Sequence, residues 1–150
     1  MSGLDGIPVR IEAPEFDGED VITGMADALL REIHAHLVNL HERSESHTID
    51  LKGLPLTEAD RRQLREALGR GEVSMTVEAA GPTEAYETAY GGVWWIDYQN
   101  LLGSTALTHI EIARVPAIAP THPEDIADAL ERLGEALNDR KPQTDNPPPD

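Results

Sequence analysis

Four consecutive strand-like segments between residues 72 and 115, joined only by short turns, constrain the fold of this chain most. The predicted strands are Glu72–Ala79, Glu84–Ala89, Val93–Tyr98 and Thr105–Val115. The first alternates apolar and polar residues, as a half-buried strand does. The connections are long enough for hairpins but too short for the crossovers that parallel strands need. The sequence therefore predicts an antiparallel meander over these residues.

Helical patterns lie on both sides of this meander. Ala26–Glu42 carries an apolar stripe, a second helix is opened by Thr57 and stopped by Gly69, and a third begins near Pro123. Thr57 is a good N-cap and proline is favoured in a first helical turn. With a short strand at Thr48–Leu51, the pattern predicts an α+β fold, an antiparallel sheet of about four to five strands with about three helices packed on it.

The two ends of the chain differ in composition from its centre. Residues 1–20 are rich in glycine, proline and carboxylates, and we expect an acidic, loosely ordered lead. Residues 141–150 are rich in proline and have little to bury, so we expect a disordered tail. Residues 21–140 are enough for one hydrophobic core, and we expect a single α+β domain.

Charge and cysteine content exclude several classes of function. The formal net charge of −16 argues against nucleic acid and anionic membranes as partners, and permits a basic protein partner. The absence of cysteine excludes disulfides, thiolate catalysis and cysteine-ligated iron–sulfur clusters within this chain. No signal-peptide pattern and no apolar stretch of about 20 residues is visible, so we expect a cytoplasmic location.

Five of the six aromatic residues fall within thirteen positions: Tyr86, Tyr90, Trp94, Trp95 and Tyr98. Adjacent residues of a strand point to opposite faces, so if one tryptophan packs on the core we expect the other to face outward. Burial of one such ring is worth ~4–6 kcal/mol gross, and an outward indole is a candidate for burial against a partner. The alternative is a second layer that buries both rings.

The six histidines show no spacing of the His-x-x-Glu-His type. Glu32 and His36 are four residues apart on the first helix and either bind an ion jointly or pair in solvent, and we expect solvated helix-face histidines. His109 and Glu111 share one face of the last strand. They are either a metal or acid–base pair, with His47 as a third group, or cross-strand partners on a wet face.

Arg114 lies near the end of the same predicted strand, on the opposite face, and two interpretations of it are open. It either forms a salt bridge, to Asp97 or a helix carboxylate, or binds a carboxylate of a partner. Neither a Gly-x-Ser-x-Gly elbow nor a phosphate-binding loop is present in the sequence. We therefore expect neither enzymatic activity nor a cofactor.

Several short segments, in this order and spacing, resemble the C-terminal conserved region of hydrogenase expression proteins of the HupH/HyaF type. They are Ile49-Asp-Leu-Lys-Gly-Leu-Pro55, Leu68-Gly-Arg-Gly-Glu-Val-Ser74, Gly91-Gly-Val-Trp-Trp-Ile96, Ile110-Glu-Ile-Ala-Arg-Val-Pro116 and Pro123-Glu-Asp-Ile126. The resemblance runs from about Leu29 to Leu137. It implies an accessory role in the maturation of nickel–iron hydrogenase.

The resemblance also implies partners. We expect a chaperone that binds the immature iron–sulfur small subunit, together with other maturation proteins, before assembly and twin-arginine export. We assign the client contact to Tyr86, to whichever of Trp94 and Trp95 faces out, to Tyr98 and to Arg114. The chain is also a candidate for homodimerisation, through a sheet edge or through the aromatic face. The alternatives are a small metal-handling protein or enzyme that uses His109 and Glu111, and a general protein-binding module.

Overall fold

A five-stranded antiparallel sheet forms the frame of the fold in the computed structural model, which describes residues 18–78, 81–140 and 148–149. The strands are β1 His47–Asp50, β2 Ser74–Glu78, β3 Pro82–Glu87, β4 Val93–Gln99 and β5 Thr105–Ile112. Their order is β1-β5-β4-β3-β2, with every neighbouring pair antiparallel. Strands β2 to β5 form the predicted meander, and β1 adds to its far edge beside β5.

Three α-helices accompany the sheet: α1 Met25–Arg43, α2 Glu58–Leu68 and α3 Pro123–Asp139. Short 3-10 turns span Gly18–Asp20 and Leu51–Gly53. The predicted α+β class is confirmed, and the predicted elements lie within a few residues of the observed ones. Within the described residues, no helix combines the length and apolar character that crossing a membrane requires.

The chain forms two compact units, Met1–Pro116 and Ala117–Asp150. The sheet, α1 and α2 belong to the first unit, and α3 belongs to the second. The expectation of one domain over residues 21–140 stays a prediction. The expectations for residues 1–17 of the acidic lead and for most of the tail lie outside the described residues.

The core of the first unit lies between one face of the sheet and the two helices α1 and α2. Helix α1 contributes a stripe at helical spacing, Ala26, Leu29 and Ile33, because these positions return to the same side of a 3.6-residue helix. The other members of the cluster are Ile49, Leu51, Leu64, Leu68, Tyr86, Val93, Trp95, Ile110 and Ile112. Alternate residues of β4 and β5 thus face the helices.

A buried carboxylate joins the starts of α1 and α2. Thr57 is the N-cap of α2, as the sequence predicts. Its side chain also forms a capping box with Asp60. Asp60 also accepts hydrogen bonds from the backbone N–H and the hydroxyl of Thr23, at 2.8 and 2.6 Å, just before α1. The bond from the Thr23 hydroxyl lowers the pKa of Asp60, and the backbone bonds from Thr23 and Thr57 act in the same direction against the effect of burial.

Replacement of this carboxylate is expected to change the acid sensitivity of the fold. Because its pKa is lowered by folding, Asp60 stabilises the native state fully above the unfolded-chain pKa of about 3.9, and this contribution is lost as the pH falls through the lower folded value. As the pH falls below about 4, the free energy of unfolding is therefore expected to decrease less for Asp60→Asn than for the wild type. Urea denaturation at a series of acidic pH values measures this loss.

The matched variant for this experiment is Thr23→Val, which keeps the Asp60 carboxylate and removes the hydroxyl that donates to it at 2.6 Å. Because that bond lowers the pKa of Asp60, we expect Thr23→Val to lose less unfolding free energy in acid than the wild type does. Parallel acid profiles for the wild type and Asp60→Asn would contradict the role given to Asp60.

Candidate partner-binding surface

The two adjacent tryptophans of β4 are both buried, so the expectation that one of them faces outward is wrong. Trp95 is 1% exposed and lies in the core beneath α1 and α2. Trp94 is 4% exposed and points to the opposite face of the sheet, as strand alternation requires. Its neighbours on that face, Ile96 and Ala85, are buried as well. Alternation predicted correctly that the rings diverge, but it does not tell which faces are covered.

Both indole N–H groups are satisfied within the chain. The Nε1 of Trp95 donates to an Asp97 oxygen at 3.1 Å, and that carboxylate also binds the guanidinium of Arg65 of α2 at 3.0 Å. Arg65 in turn lies over the Trp95 ring, with its central carbon 4.8 Å from the ring centroid. The Nε1 of Trp94 donates to the carbonyl of Ala113 at 3.1 Å. This bonding holds both rings in the monomer.

The two tyrosines assigned to the client contact offer little free surface. Tyr86 is 9% exposed, its hydroxyl accepts a bond from Arg65 Nε at 3.3 Å, and Arg70 lies over its ring. Tyr98 is half-buried and edge-on to His109, and burial and the Glu111 carboxylate raise the pKa of Tyr98. Their role in partner binding stays a prediction.

Arg114 is exposed and lines an open groove with residues from the end of α1. The sequence suggested a salt bridge from Arg114 to Asp97 or to a helix carboxylate, but the ion pairs among the described residues do not include Arg114, and Asp97 is paired with Arg65. Binding of a partner's carboxylate by Arg114 stays a prediction.

The sheet register separates His47 from His109 and Glu111, the two residues with which the sequence suggested a metal site. Glu111 pairs with Trp94 and His109 with Ile96, so both lie on the face away from α1 and α2. His47 pairs with Ile112, a core residue, and so points to the other face. There it stacks on His36 of α1, which is 22% exposed and not simply a solvated helix-face residue.

A cleft of about 340 Å³ lies between α2 and strands β4 and β5, and four of the five charged residues that line it, all except Lys52, form ion pairs with one another. Arg65 binds Asp97 and Arg61 binds Glu58, the second pair at 3.7 Å. The residues that line the cleft include no histidine. Its chemistry is therefore that of a structural ion-pair network and offers no nucleophile with an adjacent imidazole base.

Helix α3 presents a stripe of large apolar side chains to solvent. None of its seventeen residues, all of them described, is buried. The members of this stripe, called the α3 stripe below, are 57–76% exposed: Ile126, Leu130, Leu133 and Leu137. The spacing of four, three and four residues places them on one side of the helix. The amphipathic pattern was visible in the sequence, but it was expected to face the core.

The flanks of the α3 stripe are acidic. The helix carries six carboxylates and one arginine, Arg132, whose Nε binds Asp128 at 2.7 Å within the helix. A contiguous apolar surface with a rim of one charge is typical of a protein interaction site. The sign of the rim favours a basic partner.

A second exposed apolar feature is the tip of the β4–β5 hairpin. Leu101 and Leu102 are 84% and 90% exposed. Asn100 holds the tip by accepting bonds from the backbone N–H groups of Leu102 and Ser104, and Gly103 takes the positive φ of 80° that the turn needs. The sequence predicted the turn but not the exposure of its two leucines.

Comparison with known proteins gives one consistent result. The family model for the HupH hydrogenase expression protein, C-terminal conserved region, matches residues 24–139. The chain is 33% identical over 112 residues to the hydrogenase expression/formation protein HoxQ of Cupriavidus necator, which is 75% of this chain and 40% of HoxQ. It is 30% identical over 122 residues to the hydrogenase-1 operon protein HyaF of Escherichia coli, which is 81% of this chain and 41% of HyaF.

A solved structure agrees with these matches. The hydrogenase expression protein HupH from Thiobacillus denitrificans superposes with a TM-score of 0.75 at 44% sequence identity, covering 78% of this chain and 98% of that one. The chain thus spans about two fifths of the length of HoxQ and HyaF, and nearly all of the solved HupH chain.

Proposed function

The chain belongs to the family of HupH hydrogenase expression proteins, whose C-terminal conserved region it carries, and we propose that it serves in the maturation of nickel–iron hydrogenase. In this proposal it is a cytoplasmic chaperone that binds the immature iron–sulfur small subunit before assembly and export. The printed names of its relatives, hydrogenase expression and formation proteins, support a role in hydrogenase formation. We further propose that the chain acts by binding its client and that it catalyses no reaction.

The observation that supports client binding most is the exposed α3 stripe. Most helical stability in proteins comes from packing of an apolar face, and this seventeen-residue helix has no buried residue. Gly134 within the helix weakens it further, by about 1 kcal/mol relative to alanine. A partner that covers the stripe supplies the apolar burial that this helix otherwise lacks.

The size of the α3 stripe suits a reversible contact. Full burial of four such side chains is worth roughly 6–12 kcal/mol, and association itself costs an estimated 4–15 kcal/mol. The gain and the cost are thus of similar size, so binding is moderate unless further contacts add to it. A chaperone has to release its client, and a moderate affinity permits that release.

Charge favours the precursor small subunit over a second copy of this chain. Two α3 helices that face each other bring like-charged carboxylate rims together, which costs free energy. A twin-arginine export signal is basic, so the acidic rim attracts it. We therefore propose the unprocessed small subunit as the occupant of the α3 stripe.

Affinity purification from cells that produce the hydrogenase tests the proposal. With the full chain as bait, we expect the small subunit to co-purify with its export signal still attached, as identified by mass spectrometry of its N-terminus. Enrichment of only the processed small subunit, or of no hydrogenase subunit, would contradict the proposal. Sedimentation of the purified chain measures self-association, and a stable dimer closed through α3 would assign the stripe to a second copy instead.

A further inference from the structure

We propose that Glu32, His36 and His47 bind one divalent transition-metal ion. Each offers one ligand atom, and the three atoms lie within 4.8 Å of one another. In the part of the chain that the structure describes, these residues form the one such group of three or more histidines, cysteines and carboxylates. The site lies in the first unit and is independent of the α3 stripe.

Two elements bring the three residues together. Glu32 and His36 are one turn apart on α1, and their side chains approach to 3.6 Å between His36 Nε2 and a Glu32 oxygen. Helix α1 ends at Arg43, and the left-handed conformation of the next residue, Ser44, reverses the chain so that His47 opens β1 close to the last turns of the helix. The His47 ring then stacks on the His36 ring, with centroids 3.6 Å apart and planes at 10°.

The separation of His36 and Glu32 fits first-row metal coordination. Tetrahedral zinc with bonds of about 2.0–2.1 Å keeps neighbouring ligand atoms about 3.3–3.5 Å apart, and the His36–Glu32 separation of 3.6 Å is close to this value. The stacked rings hold their nitrogens in parallel planes, so the imidazoles have to rotate out of the stack to direct both lone pairs at one ion. His47 is exposed and the His36 side chain is 22% exposed, which leaves room for this movement.

The ligand types select the class of ion. Two imidazoles and one carboxylate suit zinc, cobalt, nickel or copper, whereas calcium and magnesium prefer oxygen ligands throughout. Three protein ligands leave a fourth position for water or another donor, unlike the closed four-ligand sites that hold structural zinc. The site is therefore suited to exchangeable binding at the surface.

Titration of tag-free, chelator-treated protein with Zn²⁺ and with Co²⁺ tests the site. We expect one saturable equivalent by calorimetry, and a visible absorption band of cobalt that reports nitrogen and oxygen ligands in a four-coordinate site. His36→Ala and His47→Ala are each expected to weaken binding at least tenfold. Glu32→Gln is expected to weaken it as well, because the amide carries no charge.

The matched controls are His34→Ala and His41→Ala, since both histidines are exposed on α1 and lie outside the ligand group. They are expected to bind metal as the wild type does. Circular dichroism establishes that each variant is folded. Absence of a saturable equivalent at micromolar protein, or equal losses in the His34→Ala and His36→Ala variants, would overturn the proposal.

Discussion

Replacing Trp95 by alanine is expected to lower the free energy of unfolding by about 3–5 kcal/mol, the range for large aromatic residues removed from a packed core. The side chain is 1% exposed and belongs to the cluster between the sheet and the first two helices. Its loss also leaves Asp97 and Arg65 without the ring that they contact. Urea denaturation, followed by circular dichroism, measures the change.

The size of this effect shows whether the Trp95 ring stabilises the core or serves to contact a partner. If Trp95 served mainly to contact a partner, its removal would cost the monomer little, because exposed positions usually tolerate substitution within about 0.5 kcal/mol. Tyr90→Ala is the matched control, since Tyr90 lies in the same aromatic segment but is 55% exposed. A loss below about 1 kcal/mol for Trp95→Ala, similar to that of Tyr90→Ala, would contradict the burial of this indole.

Replacing two leucines of the α3 stripe by glutamine, Leu130→Gln with Leu133→Gln, is expected to weaken binding of the precursor small subunit by about 100-fold or more. Each leucine contributes roughly 1.5–3 kcal/mol when fully buried, and about 1.4 kcal/mol corresponds to a factor of ten. Glutamine forms helices about as well as leucine, so α3 is expected to keep its helicity. Calorimetric titration with purified precursor gives the dissociation constants.

The hairpin tip provides the control for this experiment. Leu101→Gln with Leu102→Gln makes the same chemical change at two leucines that are even more exposed, in the first unit of the chain. We expect that double variant to bind the precursor as the wild type does. A loss of binding confined to the hairpin-tip variant would move the contact to the β4–β5 turn and would refute the role of α3.

Most of the secondary structure was predictable because it depends on local patterns. The apolar period of α1, the Thr57 cap of α2 and the alternation along β2 each mark an element within the sequence itself. The place of β1 was not predictable in this way. Its four residues pair with β5, about 60 positions away, and only the tertiary fold sets that register.

The candidate sites were less predictable because they depend on which surfaces the fold covers. Strand alternation separates Trp94 from Trp95 but cannot reveal that both faces of β4 are buried. An amphipathic pattern identifies the α3 stripe but does not tell whether it faces a core or a partner. The approach of His47 to His36 depends on the reversal at Ser44, which the helix pattern alone does not specify.

Photo-crosslinking from α3 tests the central claim, that this helix binds the unprocessed small subunit, most directly. A photoreactive benzoylphenylalanine is placed at position Leu130 in one sample and at position Leu101 in another, in cells that produce the hydrogenase. The account predicts a crosslink from position 130 to the small subunit with its export signal attached, and none from position 101. Crosslinks from position 130 to copies of this chain alone, or to the small subunit only from position 101, would contradict it.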